Sequence, residues 1–152
     1  MRTLRLRTWL TSIALASVFV LAAGEAVAQN PVQSVGQGML VFERALKRES
    51  MSDGWRDRRD AWIAQVNAAR TPAQLAQAAL ALESGMGWQA VNDTWAGQRD
   101  AWVASLRAAD DAGDVAKAVL ALENATKWEA VSDQWAGARD AWVARMRGLA
   151  GG

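Results

Sequence analysis

The hexapeptide Arg-Asp-Ala-Trp-Val-Ala occurs at residues 99–104 and again at residues 139–144, and Arg-Asp-Ala-Trp-Ile-Ala occurs at residues 59–64. Both spacings are 40 residues. A fixed period of this length is typical of helical-repeat proteins, in which one copy cannot bury its apolar face alone and neighbouring copies share a core. The sequence therefore predicts a tandem array rather than a single irregular domain.

Extending the comparison outward from these hexapeptides defines three repeats, at residues 31–70, 71–110 and 111–150. The second and third repeats match without a gap at 20 of 40 positions, and the first is more divergent. Nine positions carry the same residue in all three copies. Numbered in the first copy, they are Leu40, Glu43, Asp53, Trp55, Arg59, Asp60, Ala61, Trp62 and Ala64. We therefore predict one domain over residues 29–152.

Each copy is predicted to contain a short helix followed by a longer one. Thr71-Pro72-Ala73-Gln74 has the pattern of a capping box with proline in the first turn, and Gly85 ends the apolar run that follows it. Thr126-Lys127-Trp128-Glu129 has the same capping pattern, which predicts that the longer helix of the third copy begins there. The expected fold is all-α, with six helices in three tandem hairpins. These form either a short solenoid or a compact closed bundle.

Tryptophans recur every seven residues along each longer helix, where they form one apolar stripe opposite a face of small residues. The sequence has nine tryptophans. We assign four of them to the core between repeats, namely Trp95, Trp102, Trp135 and Trp142. Trp88 and Trp128 share the same face, so the pattern favours burial in the core for them too, but they lie next to the loop and are therefore also the candidate ligand-binding residues.

The repeated charged residues have two possible roles, catalysis or structure. A catalytic centre is one asymmetric constellation, whereas these residues recur in the same frame in every copy. We therefore predict a structural ladder of charges between repeats, in which Arg99 covers indole faces and pairs with Asp93 or Glu83 of a neighbouring turn or repeat. The predicted structural set, besides the core tryptophans, is Glu83, Asp93, Arg99, Asp100, Arg139 and Asp140. No catalytic residue is predicted.

The first copy differs from the others on the tryptophan stripe, because Arg48 replaces the tryptophan found at positions 88 and 128. Polar residues there suit a terminal repeat, so the stripe is predicted to face the preceding repeat and the small face the following one. The small face of the third copy would then be open to a second copy of the chain or a protein partner, unless it is simply a tolerated exposed surface. These candidate interface residues are Ala130, Asp133, Gly137, Ala141 and Ala144.

Residues 1–28 have the features of a signal peptide: three arginines, an uncharged apolar run over residues 9–23, and Ala26-Val27-Ala28 as a cleavage site. We therefore expect an exported, periplasmic or extracellular protein without a stable membrane anchor after cleavage. The segment contains three of 17 basic and one of 16 acidic residues, which leaves 14 and 15 in the mature chain. This balance gives no basis for nucleic-acid binding.

The chain contains neither cysteine nor histidine. This excludes catalysis by those side chains and removes the commonest ligands for zinc, so no metal or other cofactor is predicted. The sequence favours a non-enzymatic scaffold or protein-interaction module of the cell envelope. The alternative is an exported binding protein that holds a glycan or another small or polymeric ligand through Trp88 and Trp128.

Overall fold

A computed structural model of the chain describes residues 30–151, and the predicted signal peptide lies outside these residues. The all-α prediction is confirmed, because six α-helices form the described part and no strand is found in it. The helices are α1 (Pro31–Ala45), α2 (Trp55–Ala68), α3 (Pro72–Gly85), α4 (Trp95–Arg107), α5 (Ala112–Ala125) and α6 (Trp135–Ala150). Single 3-10 turns at Arg48–Ser50, Trp88–Ala90 and Trp128–Ala130 lie between the two helices of each repeat.

Side-chain caps fix the start of the first helix of every repeat. At α3 the hydroxyl of Thr71 accepts a hydrogen bond from the amide of Gln74, and the Gln74 side chain accepts one from the amide of Thr71. Asn30 caps α1 and Asp111 caps α5 through their carbonyl and carboxylate oxygens. These bonds satisfy amides that a helix N-terminus leaves without a partner.

The six helices form a closed bundle with approximate threefold symmetry. Helices α1, α3 and α5 contact one another at the centre, while α2 packs against α1 and α3, and α4 packs against α3 and α5. Helix α6 completes the pattern by packing against α5 and α1, so the third repeat contacts the first. Of the two predicted arrangements, the structure has the closed bundle.

One tryptophan of each repeat joins it to the next repeat by a buried hydrogen bond. The indole N–H donates to a backbone carbonyl in the first helix of the neighbouring repeat. These bonds run from Trp62 to Ala78, from Trp102 to Ala118 and from Trp142 to Gly38, with lengths of 2.8, 2.7 and 2.8 Å. The last bond closes the ring with the same geometry as the other two.

Close packing at the closing contact depends on a small residue in α1. A Cβ atom added to Gly38 would lie 2.4 Å from the sulfur of Met146, which is fully buried. At the other two contacts between repeats, an alanine takes the place of Gly38 on the central helix. The residue that takes the place of Met146 on the outer helix is shorter there, namely Val66 or Leu106. The largest outer side chain therefore occurs where the central helix has its smallest residue, as close packing requires.

Closure of the ring shows that the prediction of a terminal repeat was wrong. Every repeat has a neighbour on both sides, so Arg48 does not mark an uncovered end. The tryptophan stripe faces the following repeat rather than the preceding one, since Trp62 of the first repeat bonds to the second. The small face of the outer helices is exposed in all three repeats, at Ala61, Ala101 and Ala141.

The predicted start of the second helix was also wrong, because the helix of the third repeat has its N-cap at Gln134, eight residues after the expected cap at Thr126. Thr126 ends α5 instead of starting a helix, and its hydroxyl donates a hydrogen bond to the carbonyl oxygen of Leu122 at 2.8 Å. Residues between the 3-10 turn and α6 instead bond to a neighbouring repeat, which holds the backbone extended at Val131. Tertiary hydrogen bonds therefore override the local capping pattern.

Candidate functional site

The loops inside the three repeats, at residues 46–54, 86–94 and 126–134, meet at one end of the bundle and form a loop ring. Each loop exchanges two backbone hydrogen bonds with the next, and all six bonds are 2.8 Å long. The six bonds run from Ser52 to Gly85, Gly87 to Ser50, Asn92 to Ala125, Lys127 to Ala90, Ser132 to Ala45, and Lys47 to Ala130, each from amide to carbonyl. The loop ring is therefore fixed by the backbone and does not depend on flexible side chains.

A cluster of three side chains connects the two helices of each repeat next to the loop ring. In the second repeat the Glu83 carboxylate is buried, and it accepts bonds from Arg99 at 2.6 and 3.0 Å and from the Trp95 indole at 3.2 Å. The same cluster occurs at residues 43, 55 and 59 and at residues 123, 135 and 139. The bidentate guanidinium contact satisfies both oxygens of a carboxylate that would be costly to bury alone.

This contact raises the pKa of each clustered arginine. For Arg99 the largest cause is the hydrogen bond to Glu83, followed by the attraction of the Glu83 charge, with a smaller contribution from Asp100. Arg59 and Arg139 have raised pKa values with the same leading cause. The arginines stay charged throughout the pH range of proteins, so the clusters provide permanent ion pairs rather than a proton for acid–base chemistry.

The predicted charge ladder between repeats was wrong, because each arginine pairs within its own repeat. Arg99 and Glu83 belong to α4 and α3, which form one hairpin. Asp93 is fully exposed and lies 3.8 Å from the amine of Lys127 in the next repeat, which is a long, solvent-exposed contact. Asp100 and Asp140 are exposed and only add a weaker attraction on the neighbouring arginine. The buried links between repeats are instead the indole and backbone hydrogen bonds, together with a bond from the Ser50 hydroxyl to the carbonyl oxygen of Ala130.

The tryptophans separate into buried and exposed groups. Trp95, Trp102, Trp135 and Trp142 lie in the core, with 2–5% of their surface exposed. Trp88 and Trp128 do not continue the buried stripe, because they lie in the 3-10 turns, where 67% and 59% of their surfaces are exposed. The sequence therefore grouped six tryptophans on one face, and the structure places two of them in solvent.

Each exposed tryptophan lies on a cleft of the loop ring. The cleft of the second repeat, about 150 Å³ in volume, is lined by Glu83, Ser84, Met86, Gly87, Trp88, Val91, Trp95 and Arg99. The cleft of the third repeat has the same volume and an equivalent lining that includes Trp128 and Arg139. The Arg139 guanidinium lies 5.8 Å from the centre of the Trp128 ring, which orients that indole beside the cleft.

The first repeat has a wider cleft, about 690 Å³ in volume, in which no tryptophan is exposed. Three arginines line it, namely Arg44, Arg48 and Arg56. In the other repeats the position of Arg44 carries serine or asparagine, that of Arg48 carries tryptophan, and that of Arg56 carries alanine. Of these three arginines, Arg48 was expected from the sequence to be distinctive, whereas Arg44 and Arg56 were missed. Alignment of the three copies contains the signal, since arginine occurs at these positions only in the first.

The predicted interface on the third repeat is only partly a surface. Asp133, Gly137, Ala141 and Ala144 are exposed, whereas Ala130 is buried with 3% of its surface exposed. Ala130 is inaccessible because its carbonyl oxygen accepts bonds from Lys47 and Ser50 of the first repeat. Asp133, Ala141 and Ala144 have the same residue at the equivalent position of every repeat, and Gly137 has it in the second repeat, so the exposed members do not define an interface unique to the third repeat.

The described residues contain neither a candidate metal site nor a candidate membrane span. No group of three or more acidic side chains there is arranged to hold a metal ion. None of the described helices is both long and apolar enough to cross a membrane.

The fold and the loop ring define a helical-repeat scaffold whose three hairpins close on one another. Residues 32–87 and residues 79–132 both match the family model of the domain of unknown function DUF8799, and the chain belongs to this family. Each match is longer than one 40-residue repeat, so the family unit includes the contacts between adjacent hairpins. No curated protein and no solved structure matches the chain.

Proposed function

We propose that the protein is a non-enzymatic interaction module of the cell envelope, and that it binds a protein partner through Trp88 and Trp128. The observation that carries this proposal is the exposure of both indoles on adjacent loops of a rigid ring. Tryptophan is among the residues that contribute most to protein–protein binding, because its large ring buries much apolar area with few rotatable bonds. Two exposed indoles on one face suit this role.

The fixed backbone of the loop ring supports binding energetically. The loops of Trp88 and Trp128 are joined by hydrogen bonds from Asn92 to Ala125 and from Lys127 to Ala90. A partner therefore meets a surface that is already ordered, and less conformational entropy is lost on association. This arrangement is typical of a scaffold that presents side chains on stable loops.

The use of the acidic and basic groups supports a non-enzymatic role. Glu83 and its two equivalents are buried in identical ion pairs with arginine, and each also accepts an indole hydrogen bond. Carboxylates satisfied in this way serve the stability of the hairpin. The same three contacts in every repeat are what a structural role requires.

A second candidate is binding of a glycan, which the position of the exposed indoles beside the clefts favours. Arg99 bonds to Glu83 through Nε and Nη2, so Nη1 is outside the ion pair, and 36% of the side chain is exposed at the cleft. An indole face and a guanidinium edge beside a cleft of about 150 Å³ offer stacking and hydrogen bonding to one sugar ring.

Capture from an envelope extract with matched variants tests the protein-binding proposal. The double variant Trp88→Ala/Trp128→Ala is expected to fold, because the first repeat tolerates a different residue at this position, and to lose a partner that the parent retains. Val41→Ala is the matched control, since Val41 is the other large exposed apolar residue among residues 30–151 and the equivalent residues are alanines. Equal recovery of every captured protein by parent and double variant would refute the proposal.

Binding to envelope polysaccharides, measured with the same three proteins, distinguishes the glycan candidate. Binding that is lost only in the tryptophan variant would replace the protein partner by a sugar. Fractionation of the native cells tests the location, with the mass of the purified protein as the readout. We expect a mature chain that begins at Gln29, whereas a cytosolic protein that retains residue 1 would contradict the envelope assignment.

A further inference from the structure

The cleft of the first repeat differs from the other two in size, charge and lining. Its lining consists of Glu43, Arg44, Leu46, Arg48, Met51, Ser52, Asp53, Trp55, Arg56, Asp57 and Arg59. Four arginines and three acidic residues thus line it, whereas each of the other clefts has one arginine and one glutamate. The wider volume follows from Arg48, which takes the place of the tryptophan that borders the other clefts.

Three of the four arginines have no partner within the described part of the chain. Arg59 is bound to Glu43 in the ion pair common to all repeats. Arg44, Arg48 and Arg56 are exposed, and neither a hydrogen bond nor an ion pair engages them among the described residues. Three guanidinium groups are therefore available to a ligand in one cleft.

A neutral group in the same cleft also lacks a partner. The hydroxyl oxygen of Ser52 is buried and is the one buried side-chain polar atom without a hydrogen bond in the described residues. A buried hydroxyl without a partner is costly, so a water or a ligand atom is expected to complete its hydrogen bonding. Ser52 is a lining residue of the arginine cleft, and its hydroxyl lies just beneath the surface that a ligand would cover.

We infer that this cleft binds a phosphate group carried by an apolar body. Arginine forms paired hydrogen bonds with phosphate oxygens, and a phosphate presents three such oxygens to three guanidinium groups, where a carboxylate presents two. Leu46, Met51 and Trp55 supply an apolar wall for the remainder of the ligand.

The acidic residues of the cleft restrict the ligand to a small anion. Asp53 and Asp57 lie in the lining and are exposed, so the cleft has only a small net positive charge. A single phosphate is favoured by that balance, whereas a dense polyanion would be repelled by the two carboxylates. The site thus differs from the basic surfaces that bind nucleic acids.

The other repeats supply the substitutions that test this inference. Arg44→Ser, Arg48→Trp and Arg56→Ala each introduce the residue found at the equivalent position of the second repeat, so the combined variant is expected to fold. Phenyl phosphate, titrated into the parent protein in a calorimeter, is expected to bind at one site. The triple variant should bind it at least about tenfold more weakly, because the loss of even one charge-assisted hydrogen bond is worth about tenfold or more.

A second triple variant controls for the change in net charge. Arg107→Ala, Arg145→Ala and Arg147→Ala remove the same number of arginines outside the cleft and should leave phenyl phosphate binding unchanged. Equal loss in both variants, or unchanged binding in the cleft variant with a native circular dichroism spectrum, would overturn the inference. Binding of benzoate as tight as phenyl phosphate would overturn its phosphate specificity.

Vesicles distinguish the source of the phosphate. Cosedimentation with phosphatidylcholine vesicles that contain phosphatidic acid, and not with phosphatidylcholine alone, would identify a lipid headgroup if it is lost in the cleft variant. Binding of phenyl phosphate without vesicle binding would identify a soluble organic phosphate. The absence of both would refute the site. Trp88→Ala/Trp128→Ala should bind phenyl phosphate as the parent does, so this outcome is independent of the proposed function.

Discussion

The contact that closes the ring can be tested by comparing Trp142→Phe with Trp102→Phe. Both substitutions remove an indole N–H that donates to a buried carbonyl in the next repeat, at 2.8 Å for Trp142 and 2.7 Å for Trp102. Leaving a buried carbonyl without a donor costs about 1–3 kcal/mol. The two ring carbons lost add roughly 1.5 kcal/mol at about 0.8 kcal/mol each. Each variant should therefore lose about 3 kcal/mol of stability.

Urea denaturation monitored by far-ultraviolet circular dichroism measures both losses without relying on tryptophan emission. In a closed ring the two variants should agree to within about 1 kcal/mol, since Trp142 is as buried as Trp102, at 5% exposure. In an open array the last repeat would have no neighbour for its indole. A loss at Trp142 of less than about 1 kcal/mol, beside a full loss at Trp102, would refute the closed bundle.

Two other predictions concern single substitutions, one comparing two glycines and one replacing an arginine of the ion-pair cluster. Gly85→Ala should destabilise the protein by about 1–3 kcal/mol, because the new Cβ atom would lie 2.2 Å from the Trp55 ring. A Cβ atom at Gly97 would have no neighbouring atom within 4 Å, so Gly97→Ala should stabilise the helix by about 0.5 kcal/mol. Urea midpoints that shift in the same direction for both would contradict this packing. Arg99→Lys should cost about 1–2 kcal/mol, since lysine cannot donate the paired bonds that Glu83 accepts, and capture of a partner should be retained. An unchanged midpoint together with lost binding would instead assign Arg99 to the binding surface.

The sequence predicted those features that depend on a short, repeated pattern. The capping box at Thr71 is present as expected, since its hydrogen bonds are local and involve residues three apart. Burial of Trp102 and Trp142 follows from their positions among apolar residues on one helical face. Repetition also predicted a structural role for Arg99, although its partner lies within the same hairpin.

The closed arrangement could not be predicted from the repeat, because the same hairpin pattern suits an open array and a ring. Curvature depends on contacts such as that between Gly38 and Met146, which lie far apart in the sequence. The extended residues of the loop ring were missed for the same reason. Trp88 and Trp95 are spaced like neighbours on one helix, but the backbone between them instead bonds to Ala125 in the next repeat.

The hairpin topology also determines where the ends of the described chain lie. Helix α1 runs toward the loop ring and α6 runs away from it, so residues 30 and 151 both lie at the opposite end of the bundle. The connections at residues 69–71 and 108–111 lie at that end as well. A tag, fluorophore or surface tether joined at either terminus would therefore hold the molecule with its exposed tryptophans pointing outward. Immobilised protein can accordingly be used in both binding experiments without obstructing the surface under test.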